Sequence, residues 1–338
     1  MTELATDTPA LLEGLSEAAL IVERGRVTGA NAAARRLLGA SIAGAPLERV
    51  ITHPAAMEAL ERDTAGEGVE LTGLGGSRRH WMMRTAALAD GISLIRFVDR
   101  SEARAAEQMR VDFVANASHE LRTPLATLIG YTETLREQGD EIDQDTRERF
   151  LAVVHDEARR MQRVVEDLIS LSRIEAEKFT APTDAVALEP LIDQALESAR
   201  RMAAERDSEL QRQVEEGLPP IAADRSQVLQ LLDNLLTNAL RYGEPGTPVT
   251  VTAGAEGPMV RLSVTDQGEG IGPEHVARVT ERFYRVDTSR SRSLGGTGLG
   301  LSIVKHIVER HRGRLSIDSR VGVGTTIHVL LPVADSVS

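Results

Sequence analysis

Two narrow apolar seams constrain this chain most. From Ser101 to about Gln138 the pattern is helical, and Val114, Leu121, Leu125, Leu128, Thr132 and Leu135 fall at heptad-like spacing, with Ser118 in the remaining position. A polar connection, GDEIDQD (Gly139 to Asp145), follows. A second predicted helix, from about Thr146 to Lys178, carries Leu151, Val154, Ala158, Met161, Val165 and Leu168 at alternating steps of three and four. One hairpin cannot bury two such seams well. Pairing with a second copy gives an antiparallel four-helix bundle, so a homodimer is expected.

The first of these helices holds an unusual string, SHELRTPL. On the same heptad phase His119 takes a b-type position and points to solvent, with Glu120 beside it and Thr123 one turn on. Pro124 has no N–H and removes the bond to the carbonyl of Glu120, so a local kink is expected there. An exposed imidazole beside a carboxylate suits a nucleophile: the carboxylate holds one ring N–H and the other nitrogen attacks. A bare histidine on a helix would be read as a solvated surface residue.

Around this hairpin the chain divides into a piece before it and a piece after it. In residues 1–100, ALIVE and RVTGAN read as strands joined at Arg24-Gly25, and Asn31 is placed to N-cap AAARRLLG, with Gly39 at its end. GVELTGLGG, RRHWMMRTAAL and GISLIRFVD read as three more strands, with a turn at Ala89 to Gly91 between the last two. After a Thr/Pro/Ala-rich linker (Phe179 to Pro190), residues 186–334 read as an α/β sandwich. Its predicted helices are LEPLIDQALESARRMAAERD, DRSQVLQLLDNLLTNALRYG and GLSIVKHIVERH; its strands are TPVTVTAGAEG, MVRLSVTDQG, GRLSIDSR and GTTIHVLLP.

Composition closes several routes. The chain has no cysteine, which excludes disulfides, thiolate metal sites and Cys nucleophiles and suits a reducing compartment. A net charge of -12 argues against a nucleic-acid partner. The acidic N-terminus does not read as a signal peptide, and the longest apolar runs (AALIV, ISLI) are far too short to span a bilayer. A cytoplasmic chain is expected, or the cytosolic part of a membrane protein whose anchor is absent from this sequence.

Three further stretches carry chemistry. Asn234 and Asn238 lie at i, i+4 on one helix face, and an Asn carbonyl is a hard oxygen donor suited to Mg²⁺. Asp266 ends a predicted strand and opens DQGEGIG, where a carboxylate can accept an adenine amino group and glycines admit a close backbone approach. Gly295, Gly296, Gly298 and Gly300 precede a helix whose free N–H groups and dipole attract phosphate. This last run is not a Walker loop, since no Lys-Ser/Thr follows, and no βαβ unit surrounds it as a dinucleotide fingerprint requires. Arg282, Arg285, Arg290 and Arg292 make the neighbouring segment basic in an acidic protein.

Taken in order, these strings resemble the boxes of bacterial two-component sensor histidine kinases, with FVANASHELRTPLATLIGYTETL closest in phrasing to the phosphate-responsive subgroup. The resemblance implies a multidomain protein: an α+β PAS-like sensor domain (1–100), a signalling helix and histidine-bearing dimerisation hairpin (101–180), and a GHKL-type ATP-binding α/β sandwich (186–334). The strand pair, short helices and three strands of residues 1–100 carry the PAS likeness.

The resemblance also implies roles. His119 accepts the phosphoryl group, Glu120 is the base, and Thr123 positions water when the same protein dephosphorylates its partner. ATP and Mg²⁺ are the implied cofactors, with Asn238 and Asn234 on the metal. Arg241 approaches phosphate, Tyr242 covers the adenine and Asp266 anchors it. Gly268, Gly270, Gly272, Arg285, Gly296, Thr297, Gly298, Leu299, Gly300 and Thr325 complete the nucleotide site. The implied partners are a second copy, the receiver domain of a response regulator, and a signal at the PAS-like domain that reaches His119 through the helix.

HRGRL departs from the usual His-Gly-Gly; Gly313 is expected still to supply the turn, with little effect from Arg312. Two other readings remain: an ATPase that uses nucleotide as a conformational clamp, which has no need of SHELRTPL, and a silent scaffold, which nucleotide binding would separate from a kinase.

Overall fold

The computed structural model describes residues 10–62, 68–89, 91–138, 142–177, 179–286 and 296–334. The chain forms two compact units, Met1–Val114 and Ala115–Ser338. Asp90 of the expected turn, residues 139–141 of the connection, Gly295, and the arginines Arg290 and Arg292 lie outside the described residues.

In the first unit a helical turn at residues 10–13 (α1) precedes β1 (Ala18–Glu23) and β2 (Arg26–Ala30). Arg24 and Gly25 both take positive φ, which makes the tight turn between them. Three short helices follow: α2 (Ala32–Leu38), α3 (Leu47–Val50) and α4 (Pro54–Glu61). Then come β3 (Val69–Thr72), β4 (His80–Ala89) and β5 (Ile92–Asp99) in an antiparallel sheet of order β2-β1-β5-β4-β3. Asn31 is buried and ties the unit together. Its Oδ1 accepts from Ala34 N at 2.8 Å, capping α2, and from Ala19 N at 3.1 Å, while its amide donates to Leu15 and Glu17 carbonyls. Leu20, Val27, Ile51, Leu71, Ile95 and Phe97 fill the core. The expected strand GVELTGLGG is shorter than read. It ends at Thr72, and Gly73, Gly75 and Gly76 all take positive φ around a 3₁₀ turn, which no pleated ladder accommodates.

Helix α5 (Ser101–Gln138) runs unbroken and carries Pro124 in its interior. Helix α6 (Gln144–Ala176) is capped by Asp143, whose carboxylate accepts from Thr146 N at 2.9 Å. The predicted seam is largely uncovered in a single chain: Leu125, Leu151 and Val165 are exposed. Helix α6 also carries a second stripe at steps of four, seven and three, Arg160, Val164, Leu171 and Ile174, and this one is buried.

The α/β part pairs five strands in the order β11-β12-β10-β9-β7. These are β7 (Leu210–Val214), β9 (Val249–Glu256), β10 (Met259–Asp266), β11 (Arg314–Arg320) and β12 (Gly324–Pro332). Strand β7 runs parallel to β9 and the rest are antiparallel. A small pair, β6 (Ala185–Val186) and β8 (Ile221–Ala222), lies where the sequence reads as linker and loop.

Helices α7 (Glu189–Glu205), α8 (Arg225–Tyr242) and α10 (Gly300–Arg310) supply the core with the sheet, and the short α9 (Pro273–Val276) follows β10. Asp224 caps α8, accepting from Ser226 N and Gln227 N. Val228, Leu231, Leu232, Leu235, Leu236, Ala239 and Leu240 give α8 a wide buried face. Truncating one of these leucines to alanine would cost about 2–5 kcal/mol. That buried face fixes the helix rotation and so places Asn234, Asn238 and Arg241, at i, i+4 and i+7, along one flank.

Candidate functional site

The nucleotide boxes converge at one end of the sandwich. Asn234 Oδ1 and Asn238 Nδ2 stand 3.0 and 3.6 Å from where a Cβ on Gly300 would sit, so the first residue of α10 is a glycine that opens a cradle beside both amides. Asp266 ends β10 opposite Thr325 of β12, and its Oδ1 accepts from Gly268 N at 2.9 Å. Burial raises the Asp266 carboxyl above the ordinary aspartate range, against the lowering effect of its backbone hydrogen bonds.

Gly268 bridges to Gly243 beside Tyr242, which closes α8 with its ring partly exposed. At Gly270, φ is +70° and a Cβ would overlap the Arg320 carbonyl, so only glycine serves there. Gly272 precedes α9, Gly296 is buried, and Gly298 (φ +72°) carries the carbonyl that Phe283 N donates to at 2.8 Å. Leu299 is fully buried and seats the start of α10. Thr325 is buried, its hydroxyl 2.8 Å from Ser319 Oγ.

Electrostatics favours an anion here. The Arg241 guanidinium is largely buried, with an Nε that has no hydrogen-bond partner. Its value is lowered by desolvation, with Arg163 and Arg285 near enough to add repulsion. Such a cluster suits phosphate. The orphaned Arg241 Nε, the Gly300 cradle and the Asp266 carboxylate together fit a purine nucleotide, and the two Asn carbonyls fit a Mg²⁺ that shares its shell with phosphate and water. Among the described residues no group of three His, Asp or Glu side chains could hold a metal by itself.

The hairpin brings its own groups to this face. His119 is exposed on α5. Thr123 Oγ1 lies 3.4 Å from the His119 carbonyl, one turn back. Glu120 does not turn to the His119 ring as the sequence suggested: its Oε2 accepts from Arg160 Nη2 at 2.8 Å and lies 3.8 Å from Arg285 Nη1. Thus Arg285, expected at phosphate, meets Glu120. Thr297, expected at nucleotide, donates to Asp167 on α6 at 2.8 Å.

Further polar contacts join α6 to the α/β part. Ser170 donates to Gln230 at 2.7 Å, Glu175 pairs with Arg282, and Glu177 reaches Arg310 at 2.6 Å. Sequence reading missed Arg160, Asp167 and Glu175. The only signal for the first two was the second stripe on α6, which a two-seam reading passed over.

The comparisons agree with this geometry. Residues 109–177 match the His Kinase A (phospho-acceptor) domain, and residues 223–335 match the histidine kinase-, DNA gyrase B- and HSP90-like ATPase family. The chain belongs to the sensor histidine kinases of two-component systems, of the phosphate-regulon type, and is a protein-histidine kinase.

It is 34% identical over 299 residues to the phosphate regulon sensor protein PhoR of Pseudomonas aeruginosa, covering 88% of this chain and 67% of that one. It is 36% identical over 277 residues to the sensor-like histidine kinase SenX3 of Mycobacterium tuberculosis, covering 81% and 67%. Other relatives are longer: the chain spans 40% of the sensor histidine kinase WalK of Bacillus subtilis, to which it is 38% identical. Among solved structures, histidine kinase ThkA in complex with response regulator protein TrrA matches 96% of this chain and 98% of that one, with TM-score 0.50 at 19% identity. Full-length ShkA in complex with AMPPNP matches 67% and 47%, with TM-score 0.50 at 29% identity. Among the described residues no helix is long and apolar enough to cross a membrane.

Proposed function

We propose that this chain binds ATP with Mg²⁺ in residues 186–334, phosphorylates its own His119 and passes the phosphoryl group to an aspartate of a response-regulator receiver domain. The observation that carries this reading is the shared carboxylate: Glu120, the neighbour of the exposed His119, lies 3.8 Å from Arg285 of the nucleotide-binding part. One group therefore touches both halves of the reaction. Asn238 and Asn234 would hold a Mg²⁺, which would supply neutralisation of the phosphate charge.

The chain's own residues supply position and charge. Asp266 accepts the adenine amino group, Tyr242 covers the ring, and Arg241 with the N-terminal turn of α10 holds phosphate. One nitrogen of His119 attacks the γ-phosphorus in line while Glu120 holds and takes up the proton of the other, and ADP leaves.

The exposed seam of Leu125, Leu151 and Val165 supports a homodimer through a four-helix bundle. The sheet order of the first unit, with its helices between the first two strands and the last three, supports a PAS-like sensor domain spanning 1–100. Helix α5 begins two residues after β5 and continues without a break past His119, a route by which a signal could control the kinase. We place the chain in the cytoplasm, as a soluble kinase or as the cytosolic portion of a membrane sensor.

Thr123 supports a second activity, dephosphorylation of the same regulator, since its hydroxyl lies on the His119 face one turn on. A phosphorylated receiver domain incubated with the chain and ADP tests this. Label should leave the regulator faster with the wild type than with Thr123→Ala; equal rates would remove the phosphatase from the account.

A further inference from the structure

We infer that Arg160 is a positioning residue for phosphotransfer, fixing one oxygen of the Glu120 carboxylate so that the group stays beside His119. This rests on the reading of His119 and Glu120 above.

Arg160 sits on α6, forty positions from Glu120, and its side chain is only 8% exposed. A guanidinium withdrawn this far from water needs a fixed anion. It has two. Nη2 donates to Glu120 Oε2 at 2.8 Å, a charge-assisted length, and Nη1 lies 3.6 Å from Glu157 Oε2 one turn back on α6. The guanidinium is therefore hydrogen-bonded to one carboxylate with a second close by, and its position is set by the helix that carries it. A lysine would offer a point charge without that alignment.

The choice of oxygen carries the argument further. Arg160 and Arg285 both approach Oε2 of Glu120. The carboxylate is thereby pinned by one oxygen, and Oε1 is the atom assigned to a ring N–H of His119, the preceding residue on α5.

The two arginines differ in what else they can do. Arg285 belongs to the nucleotide-binding part, where its natural alternative partner is phosphate. Arg160 belongs to the hairpin itself and stays with Glu120 when Arg285 leaves. Arg160 would thus keep the carboxylate placed whether or not Arg285 remains at Glu120. Without it, a carboxylate that must orient an imidazole would swing freely, and the nucleophile would lose its alignment rather than its nucleotide.

The test uses the full chain with γ-labelled ATP, measuring initial rates of His119 labelling for wild type, Arg160→Met, Arg160→Lys, Glu120→Gln and the Glu120→Gln/Arg160→Met pair. Thermal unfolding is recorded on each. Arg160→Met is expected to lower kcat about 10- to 100-fold while KM for ATP stays within about twofold. Arg160→Lys should recover part of the loss. The double variant should be no slower than Glu120→Gln alone, because both changes remove one function.

Losses that multiply in the double variant, or a raised KM with unchanged kcat, would overturn the inference. If Arg160→Met does not fold, Arg160→Lys in the two Glu120 backgrounds gives the same comparison. An unlabelled wild type would instead overturn the phosphoacceptor reading itself, and this inference with it.

Discussion

Thr297 of the glycine-rich loop donates its hydroxyl to Asp167 of the second hairpin helix at 2.8 Å, while the same hydroxyl accepts from Leu299 N at 3.2 Å. A residue expected to face nucleotide is thus held by a carboxylate of the helical bundle. Burial is the main cause that raises the Asp167 carboxyl above its ordinary value, and the Thr297 hydrogen bond only partly offsets it.

That shift gives a pH dependence with a definite sign. A carboxyl whose folded value exceeds its unfolded value contributes stability that is complete below the unfolded value, near 3.8, and lost as pH rises through the folded one. At neutral pH Asp167 is a buried charge that opposes folding. Asp167→Asn keeps an acceptor for Thr297 and removes the charge. Its melting temperature at pH 7 should exceed that of wild type by about 2–4 °C, and the gap should shrink toward pH 4. A gap that is constant with pH, or of the opposite sign, would show that the charge is not the cause.

The turn after α10 offers a backbone test. Gly313 was expected to supply it, but the left-handed conformation falls on Arg312, at φ +55°. Gly313 serves a different need: a Cβ there would overlap the Leu330 carbonyl oxygen. Arg312→Gly should therefore stabilise the chain by about 0.5–1 kcal/mol, less whatever its 3.3 Å bond to the Phe179 carbonyl contributes. Gly313→Ala should destabilise it by about 2 kcal/mol or more. Chemical denaturation of both variants decides the matter, and equal and opposite roles would reverse the assignment.

Asp266 is the proposed adenine anchor, held at the end of β10 by Gly268 N. Asp266→Asn replaces one acceptor oxygen by a donor and should weaken ATP binding at least tenfold, about 1.4 kcal/mol, in calorimetry. Because burial raises this carboxyl, wild-type affinity should also fall with pH sooner than for an exposed aspartate. Unchanged affinity in Asp266→Asn would move the adenine elsewhere.

Much of this was legible from the chain, for physical reasons that differ by region. Asn31 and Asp224 announce their helices because a cap needs an oxygen at one position. The glycines of DQGEGIG are legible because Gly270 tolerates nothing larger. Strand β7 was missed: LQRQV pairs only with β9 at the sheet edge, and its polar side chains carry little hydrophobic signal. The ties of α6 to the nucleotide-binding part were missed because Asp167 and Glu175 read as ordinary helix-surface acids until the fold sets Thr297 and Arg282 against them. Glu120's turn toward Arg160 was hidden for the same reason, since a contact across forty positions leaves no local spacing to read.

The central claim is that His119 accepts the γ-phosphoryl group of ATP. The direct measurement incubates the chain with γ-labelled ATP and Mg²⁺, beside His119→Gln. The account predicts label on the wild type that acid removes and base does not, and none on His119→Gln, which should still bind ATP. Equal labelling of His119→Gln, or label that survives acid, would contradict it.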